Sequence, residues 1–473
     1  MPHHHSQSSR SNPPLQTSLP ISFLIIGGGI AGLACALALQ RVGHHALVLE
    51  RTDRNAARAE GGVRLPPNLS KILFHWGLRD VLLSKASVTT RLLFMRYESG
   101  DLLGEHIWDA DMLKETRGMF LMMSHAELYD VLYDAATRLG AQVRYNAEVA
   151  EIDAEEHEVK FASGEMLSAD VLVGADGEYG PSRTVVLGEE DAGTPTGLAV
   201  YDTLVSGKHI PEYAMKLSEK NGQFVAFGEG HAIVAYPIHG SEDIAFQLYA
   251  PDTGEDGRYG DGPSVDITSI ATNITQKLQT AVSGARKAVR VSVRDHRDLE
   301  DWVSDDGRLV LIGEAAHPFP PGTIQGTAMA VEDGAVLAKL FSHLSSERQI
   351  ESFLYAFQEL RQSRVRDVRA GEFASAFFMT AEGPDAAERD AAMRRKAATG
   401  KNVLEGEGSA EGVWEEYRVV FGYDCEDEAD DWWVQWGMLR ERANGAAEMG
   451  ASVPSLLDFS SAMGQVQVTT AAE

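Results

Sequence analysis

Two cysteines in 473 residues, Cys35 and Cys425, leave no material for a disulfide framework and exclude a CxxC redox pair. The chain therefore reads as one kept in a reducing compartment, the cytoplasm. Positive charge is scarce too: 42 Lys and Arg stand against 70 Asp and Glu, a formal net charge of −28. That balance argues against nucleic acid or an anionic membrane surface as a partner. No apolar run reaches the ~18 residues a spanning helix needs, so no membrane span is expected. The first segment, MPHHHSQSSRSNPPLQTS, lacks a signal-peptide core, and residues 1–19 read as a disordered leader. Its three histidines are read as part of that tail, and no metal site is expected.

The most informative segment present is residues 23–51, FLIIGGGIAGLACALALQRVGHHALVLER: an apolar strand, a glycine turn, a helix and a second strand ending on an acid. Gly27, Gly29 and Gly32 fit GxGxxG, and Glu50 stands where a residue that hydrogen-bonds a ribose is expected. Each glycine has a physical task. Gly27 permits the tight turn, Gly29 lets a pyrophosphate approach the backbone, and Gly32 lets the helix pack on the strand. The helix N-terminus then offers unpaired N–H groups to phosphates. A bound dinucleotide is the expectation; a plain glycine turn is the other reading. The length exceeds one ordinary core and suggests two or three domains, or one large fold with insertions.

Beyond that unit, apolar spacing predicts helix within 66–84, a hairpin over 91–107 turning at Ser99-Gly100-Asp101, and an amphipathic helix over 124–139 begun by Ser124 and stopped by Gly140. Short strands at 141–147, 148–153 and 157–161 lead into DVLVGADG. From 196 to 293 the pattern is of strands with one helix near 266–282. RLVLIGEAAH restores a buried strand of parallel type. From 346 the chain reads as helical, with a Gly-, Ser- and Glu-rich stretch at 398–412 that reads as a mobile loop. Trp432, Trp433 and Trp436 follow beside an acidic run, as a core cap or a subunit contact. The expected fold class is α/β: a discontinuous Rossmann-like cofactor domain (20–90, 115–195 and 294–345), an inserted mixed β-sheet substrate domain (91–114 and 196–293) and a helical C-terminal region (346–473).

Two later motifs accompany the first. GADGEYGPSR carries Asp176 and Gly177, with Ser182 and Arg183 behind them. GEAAHPFPPGTIQGTAMAVEDGAVL carries Gly313-Glu314, His317 and a glycine-rich loop at 322–327. In this order and spacing the three resemble the single-component FAD-dependent aromatic hydroxylases, class A flavoprotein monooxygenases, and among them the fungal salicylate-hydroxylase-like branch. The resemblance spans roughly residues 20–345.

It implies FAD as the cofactor, Asp176 and Gly177 as the family's DG pair, and Glu314 along the ribityl chain. GGVRLPPNLSKIL matches the branch as well and places Gly61 or Gly62 beside the flavin, with Arg64 at the cofactor. A helix-starting Pro-Pro-Asn turn accounts for the same residues. The loop with Gly326 and Thr327 would bring backbone N–H groups to the flavin ring. Glu332 and Asp333 are expected to open the next helix, where acids suit the N-terminus.

The chain also departs from the family. The acid of the family's Gly-Asp pair is Glu314, one methylene longer. The arginine of an R-x-x-L helix becomes His125 in SHAELYDVL, which still donates a hydrogen bond with less reach and no fixed charge; a first-turn residue without a ligand is the other reading. The branch often carries a Tyr-Arg pair on a substrate-domain strand, where GLAVYDTLVSG offers Tyr201 and Asp202. In that register a carboxylate faces the ring and favours a neutral hydroxylated, indolic or cationic substrate over salicylate. A shift of one or two residues would remove the argument. Tyr236, in HAIVAYPIHG, would face flavin and substrate and hold a phenol for deprotonation, or else be a half-buried sheet tyrosine. His317 would sit at the flavin's oxygen-reactive edge, as a proton-transfer group or as a structural residue.

The implied reaction is reduction of FAD by NADH or NADPH, addition of O2 to give a C4a-hydroperoxyflavin, and transfer of an electrophilic OH to an aromatic (phenolic or indolic) small molecule. Carbon dioxide leaves where the attacked carbon bears a carboxylate. A second GxGxxG, the cysteine pair of a disulfide reductase and the WxWxIP segment of a flavin halogenase are all absent. A binding protein of the same fold without monooxygenase activity is the alternative. The expected assembly is a monomer or a homodimer.

Overall fold

Short strands alternating with helices build a five-stranded parallel sheet, whose central strands are apolar runs because both faces are covered, while the edge strand Gln142–Arg144 leaves its polar residues exposed. Its members are β1 (Ser22–Ile26), β2 (His45–Leu49), β8 (Gln142–Arg144), β12 (Val171–Gly174) and β19 (Leu309–Leu311), in the order β19-β12-β1-β2-β8. The computed structural model describes residues 15–57, 61–206, 222–238, 243–252, 264–285, 287–404 and 410–439. Helix α1 (Ile30–Arg41), which leaves β1 through the glycine turn, is buried from Gly32 to Leu39. It packs on the late helix Gly326–Phe341, where a Cβ at Gly334 would lie 2.9 Å from the Cys35 backbone. Neither Cys35 nor Cys425 is in a disulfide, and both are buried.

The second large sheet has eight strands. They are β5 (Arg91–Arg96), β6 (Leu102–Ile107), β13 (Thr194–Ser206), β14 (Gly222–Phe227), β15 (Ala232–Ile238), β16 (Asp243–Pro251), β17 (Ser264–Val265) and β18 (Ala288–Asp295), in the order β17-β18-β13-β16-β15-β14-β5-β6. The 91–107 hairpin joins it through a parallel pairing of β5 with β14, Gly222 opposite Arg91; the other pairings are antiparallel. Side-chain alternation sends Tyr201 into the core on one face and Tyr236 and Tyr249 into the core on the other. Interleaved in sequence with both large sheets are β3 (Gly62–Leu65), β4 (Ser87–Val88) and β7 (Leu121–Ser124), a small sheet with β7 in the middle. A three-stranded meander of β9 (Val149–Asp153), β10 (Glu158–Phe161) and β11 (Met166–Ser168) precedes β12.

The remaining helices follow the sequence with corrections. Helix over 66–84 is broken at Trp76-Gly77-Leu78 into α3 (Pro67–His75) and α4 (Arg79–Lys85), after a one-turn α2 (Arg54–Ala57), because Gly77 takes φ +83°. α5 (Ala110–Thr116) follows β6, and α6 (His125–Arg138) starts at Ser124 as expected, whose hydroxyl accepts from Glu127 N–H. α7 is Pro181–Leu187. The single helix near 266–282 is instead a 3-10 turn at Ile267–Ser269, capped by Asp266, and then α8 (Gln276–Ser283). Helix α9 (Gly326–Phe341) begins six residues before Glu332, so Glu332 and Asp333 lie within it and not at its start. α10 (Gln349–Met379) and α11 (Gly383–Ala398) follow, then α12 (Ala410–Val420). In the 398–412 stretch, Val403 is buried against Gly104, while residues 405–409 lie outside the described residues. The leader lies outside them up to residue 14. Residues from Glu426 form a second unit, in which Trp436 is exposed. Among the described residues no helix is long and apolar enough to cross a membrane.

Candidate active site

The C-terminal ends of β1, β12 and β19 lie side by side, and the three motifs are the loops that leave them. Backbone bonds join these ends: Ala175 N–H donates to the Ile26 carbonyl (2.7 Å) and Ile312 N–H to that of Gly174 (2.9 Å). Gly27 takes φ +108°, and a Cβ there would lie 2.5 Å from the Ala175 carbonyl carbon. A Cβ at Gly32 would collide with the Gly27 carbonyl oxygen, so helix and strand are in contact there. At Gly29 a Cβ would meet nothing within 4 Å. Gly29 opens on a cavity of about 270 Å³.

Nine of the residues singled out line that cavity: Gly29, Gly62, Arg64, His125, Asp202, Tyr236, Glu314, Gly326 and Thr327. Gly27, Gly32, Glu50, Gly61, Asp176, Gly177 and His317 do not. Several of these hold the wall from behind. Glu50 accepts from Gly28 N–H (2.9 Å) and from the Thr52 N–H and hydroxyl (2.8 and 2.7 Å), which ties the glycine turn to the end of β2. Asp176 accepts from Ser182 N–H (3.0 Å) and so caps α7, while its Oδ1 has no protein partner. Burial pushes its carboxyl up to about 6. Arg183, buried, donates to the carbonyls of Ala315 (3.0 Å) and Ala316 (3.2 Å), so the second motif holds the turn of the third.

His317 stands apart from the cavity wall expected of it. Its Nε2 pairs with Asp333 Oδ2 at 2.6 Å, and Asp333 also accepts from Gly313 N–H (2.8 Å) and from Arg361 Nε (2.8 Å). Arg361 reaches Glu332 at 2.8 Å with another nitrogen, and Glu332 accepts from Asn68 Nδ2 (2.8 Å). This fully buried cluster joins α3, α9 and α10 to the Gly313-Glu314 turn. Burial would raise the Asp333 carboxyl, but His317 and Arg361 outweigh it and hold it below the ordinary range. The acids at 332 and 333 are therefore structural through ion pairs, not through a helix end.

The cofactor side of the cavity has two helix starts, α1 and α9, neither with a side-chain cap nor with an acid in its first turn. The N–H groups inside their first turns can meet an anion, while at the cap of α9 Gln325 N–H already donates to the Glu372 carboxylate (2.8 Å). His125, whose backbone N–H donates to the Gly61 carbonyl (2.9 Å), keeps a buried Nδ1 without a protein partner. Burial pushes this imidazole down to about 4, so it is neutral at neutral pH. Glu314 is exposed toward the cavity and enclosed by protein elsewhere; that enclosure, and then the Glu178 carboxylate, raise its carboxyl above the ordinary range. Two open helix ends, an unpartnered ring nitrogen and the room at Gly29 fit FAD.

On the opposite wall the register question is answered: Asp202 lines the cavity, while Tyr201 points into the core behind β13. Asp202 is opposite Gln247 of β16 and accepts from its Nε2 at 3.1 Å. Burial pushes the Asp202 carboxyl up to about 7, against Gln247, the Gly62 N–H that donates to it, and the nearby Arg64. Gly61 takes φ +123°, and a Cβ there would lie 3.1 Å from that carboxylate. A Cβ at Gly62 would lie 2.6 Å from Tyr236 Oη, and closer to Ala245, so Gly62 lies flush against β15 and β16 as Gly61 does against β13. An arginine does reach this wall, from β3 and not from β13: Arg64 donates to the Gly322 carbonyl, with its guanidinium 5.6 Å from the centre of the Tyr236 ring. Gly322 also accepts from Tyr249 (2.9 Å). Sequence reasoning missed Gln247, Phe319, Pro320 and Pro321, which also line the cavity. A polar residue inside the apolar run DIAFQLYAP was the available signal for Gln247.

A parallel sheet whose strand ends present a glycine turn and two helix starts to one cavity, with a polar wall from a second sheet, is the architecture of a dinucleotide-cofactor protein. The chain belongs to the family described as "FAD binding domain", which it matches over residues 21–371. It is 30% identical over 385 residues to FAD-dependent monooxygenase OpS4 of Beauveria bassiana (strain ARSEF 2860), covering 79% of this chain and 89% of that relative. It is 27% identical over 381 residues to 3-hydroxybenzoate 6-hydroxylase 1 of Aquipseudomonas alcaligenes, covering 79% and 93%. Among solved structures, a salicylate hydroxylase substrate complex superposes with a TM-score of 0.65 at 19% identity, over 87% of this chain and 97% of that one, a likeness of fold. The chain is an FAD-dependent monooxygenase of the aromatic-hydroxylase type.

Proposed function

We propose that this enzyme uses NADH or NADPH and O2 to place a hydroxyl on an electron-rich aromatic small molecule, phenolic or indolic, bound in the 270 Å³ cavity. The carrying observation is that one cavity receives both open helix ends and the polar wall of Asp202, Tyr236 and Gln247. FAD bound there supplies the hydride acceptor and the activated oxygen, with loss of carbon dioxide where the attacked carbon bears a carboxylate.

The chain's residues bind, orient and exclude water. The N–H groups at the start of α1, made approachable by Gly27, Gly29 and Gly32, hold the diphosphate, and Glu50 fixes that turn and accepts from the ribose. His125 Nδ1 and Glu314 hydrogen-bond the cofactor's phosphate and ribityl groups, with Asp176 and Gly177 shaping the loop between them. Gly61, Gly62, Gly326 and Thr327 flank the ring, and the start of α9 favours negative charge on it. Arg64 anchors the Gly322 loop at the ring's border. His317 acts as a positioning residue, through Asp333, on the Gly313-Glu314 turn. Asp202 accepts from the substrate hydroxyl and draws its proton, which raises the electron density of the ring, while Tyr236, kept protonated by burial, donates to the hydroxyl oxygen. Phe319, Pro320 and Pro321 keep water from the reacting centre. The partition into a cofactor domain (20–90, 115–195, 294–345) and a substrate domain (91–114, 196–293) belongs to this reading.

The test is NAD(P)H consumption in air by the purified FAD-loaded protein with a panel of phenols and indoles, with products read by mass spectrometry. One compound that accelerates consumption and gains one oxygen atom supports the proposal. Tyr236→Phe should keep the flavin and lower the yield of product per NAD(P)H. Hydrogen peroxide as the sole product across the panel would remove the monooxygenase reading and favour a binding protein of the same fold.

A further inference from the structure

Three buried polar atoms on one wall of the cavity have no partner within the protein: Asp202 Oδ1, Gln247 Oε1 and Tyr236 Oη. They come from three neighbouring strands in the order β13-β16-β15. Asp202 stands opposite Gln247, and Tyr236 stands opposite Ala245, two residues before Gln247 and so on the same face. Native structures rarely leave buried polar groups unpaired, because the lost hydration is not recovered. Three of them together on the wall of an open cavity point to a ligand that pairs with them.

The hydrogen-bonding sense of the wall follows from its internal bonds. Gln247 Nε2 donates to Asp202 Oδ2 at 3.1 Å. The reverse amide orientation would set its oxygen against a carboxylate oxygen, so Oε1 is left as an acceptor. In its ionised form Asp202 offers Oδ1 as a second acceptor beside it. Arg64 does not make the wall an anion site: it donates to the Gly322 carbonyl, and both Asp202 and Glu372 feel its charge. Where Asp202 is ionised, an incoming carboxylate would meet its charge, while the Arg64 charge is already shared between Asp202 and Glu372.

We propose that this wall selects a ring edge carrying two adjacent hydrogen-bond donors, an ortho-diol or an ortho-aminophenol, with Asp202 Oδ1 and Gln247 Oε1 accepting one donor each. Tyr236 Oη donates to the oxygen of the nearer hydroxyl. The inference rests on the proposed function, since it names the substrate class of that same cavity. A monohydroxylated ring leaves one acceptor unpaired, and a ring carboxylate meets two acceptors and a negative charge.

The experiment titrates the FAD-loaded protein, followed by the flavin absorbance, with four probes: catechol, its mono- and dimethyl ethers, and benzoate. Catechol should bind at least about tenfold more tightly than the monomethyl ether and about a hundredfold more tightly than the dimethyl ether, each unpaired acceptor contributing about a factor of ten. Benzoate should bind more weakly than catechol. Gln247→Leu should retain flavin and narrow the ratio between catechol and its dimethyl ether by about tenfold. Asp202→Asn should do the same, with flavin content measured because Asp202 also holds Gly62. Equal binding of catechol and the dimethyl ether overturns the inference. So does tighter binding of benzoate, a ratio unchanged in Gln247→Leu, or no binding by any probe. If the protein retains no FAD, the proposed function fails separately, and the same titration of the flavin-free chain by calorimetry still reads the donor preference.

Discussion

Gly29→Val separates cofactor binding from folding. Gly29 has φ −74° and ψ −168°, extended backbone open to any residue, and a Cβ there meets no protein atom within 4 Å. The flavin-free chain should therefore change in stability by no more than about 1 kcal/mol, the scale of a helix N-cap substitution. The added methyl groups occupy the space in which a diphosphate approaches the start of α1. A hydrogen bond from backbone N–H to a charged phosphate contributes about 1.5–3 kcal/mol. Losing one weakens FAD binding by about 10- to 150-fold. The assay strips the flavin, titrates FAD back by quenching of its fluorescence, and measures urea unfolding of both proteins without FAD. An FAD dissociation constant within about threefold of wild type would refute the placement of the diphosphate. A urea midpoint that collapses in the variant would refute the claim that Gly29 is open for the cofactor and not for packing.

Other outcomes follow from the same geometry. Gly62→Ala drives a methyl against Ala245 and Tyr236 Oη, an overpacking of about 1–3 kcal/mol that thermal unfolding should register; an unchanged midpoint would show that β3 does not lie against β15 and β16. Arg361→Met leaves Glu332 and Asp333 buried without their shared partner, while Arg364 and His317 remain at 3.4 and 2.6 Å. The cost should fall near the low end of about 3–5 kcal/mol in urea, and a loss under about 1 kcal/mol would contradict the ion-cluster account. Asp202 is raised to about 7, above its unfolded value of about 4, so its folded form holds the proton more tightly. Its contribution to stability is full below pH ~4 and is lost as pH rises through ~7. The difference in urea midpoint between wild type and Asp202→Asn should therefore shift across pH ~4–7 and level off above, and a pH-independent difference would refute the burial of that carboxyl.

The parallel sheet and the first motif were legible because their signals are local. The glycines of 27–32 answer to contacts within one strand-turn-helix unit, and Ser124 and Gly140 mark the ends of α6 by capping chemistry that needs no tertiary partner. The resemblance then brought Asp202 and Tyr236 to the cavity, and strand alternation in the structure fixed which neighbour, Tyr201 or Asp202, faces it. What sequence reasoning placed wrongly depends on long-range burial. Glu332 and Asp333 read as helix-start acids because their partner Arg361 lies a helix away, and His317 read as a cavity residue because Asp333, sixteen positions on, could not be seen to hold it. Arg64 illustrates the same limit: an arginine absent from β13 in the sequence is supplied to the same wall by β3. The break at Gly77 was readable in principle, since glycine ends helices by taking positive φ.

The measurement that tests the account most directly is the visible spectrum of the purified protein after dialysis against FAD, then anaerobic NADPH or NADH, then air. An equimolar two-band flavin spectrum that bleaches with reductant and returns with oxygen is the expected result. A chain that stays colourless in excess FAD would contradict it, since the open helix ends, His125 and Glu314 would then face a cavity that holds no flavin.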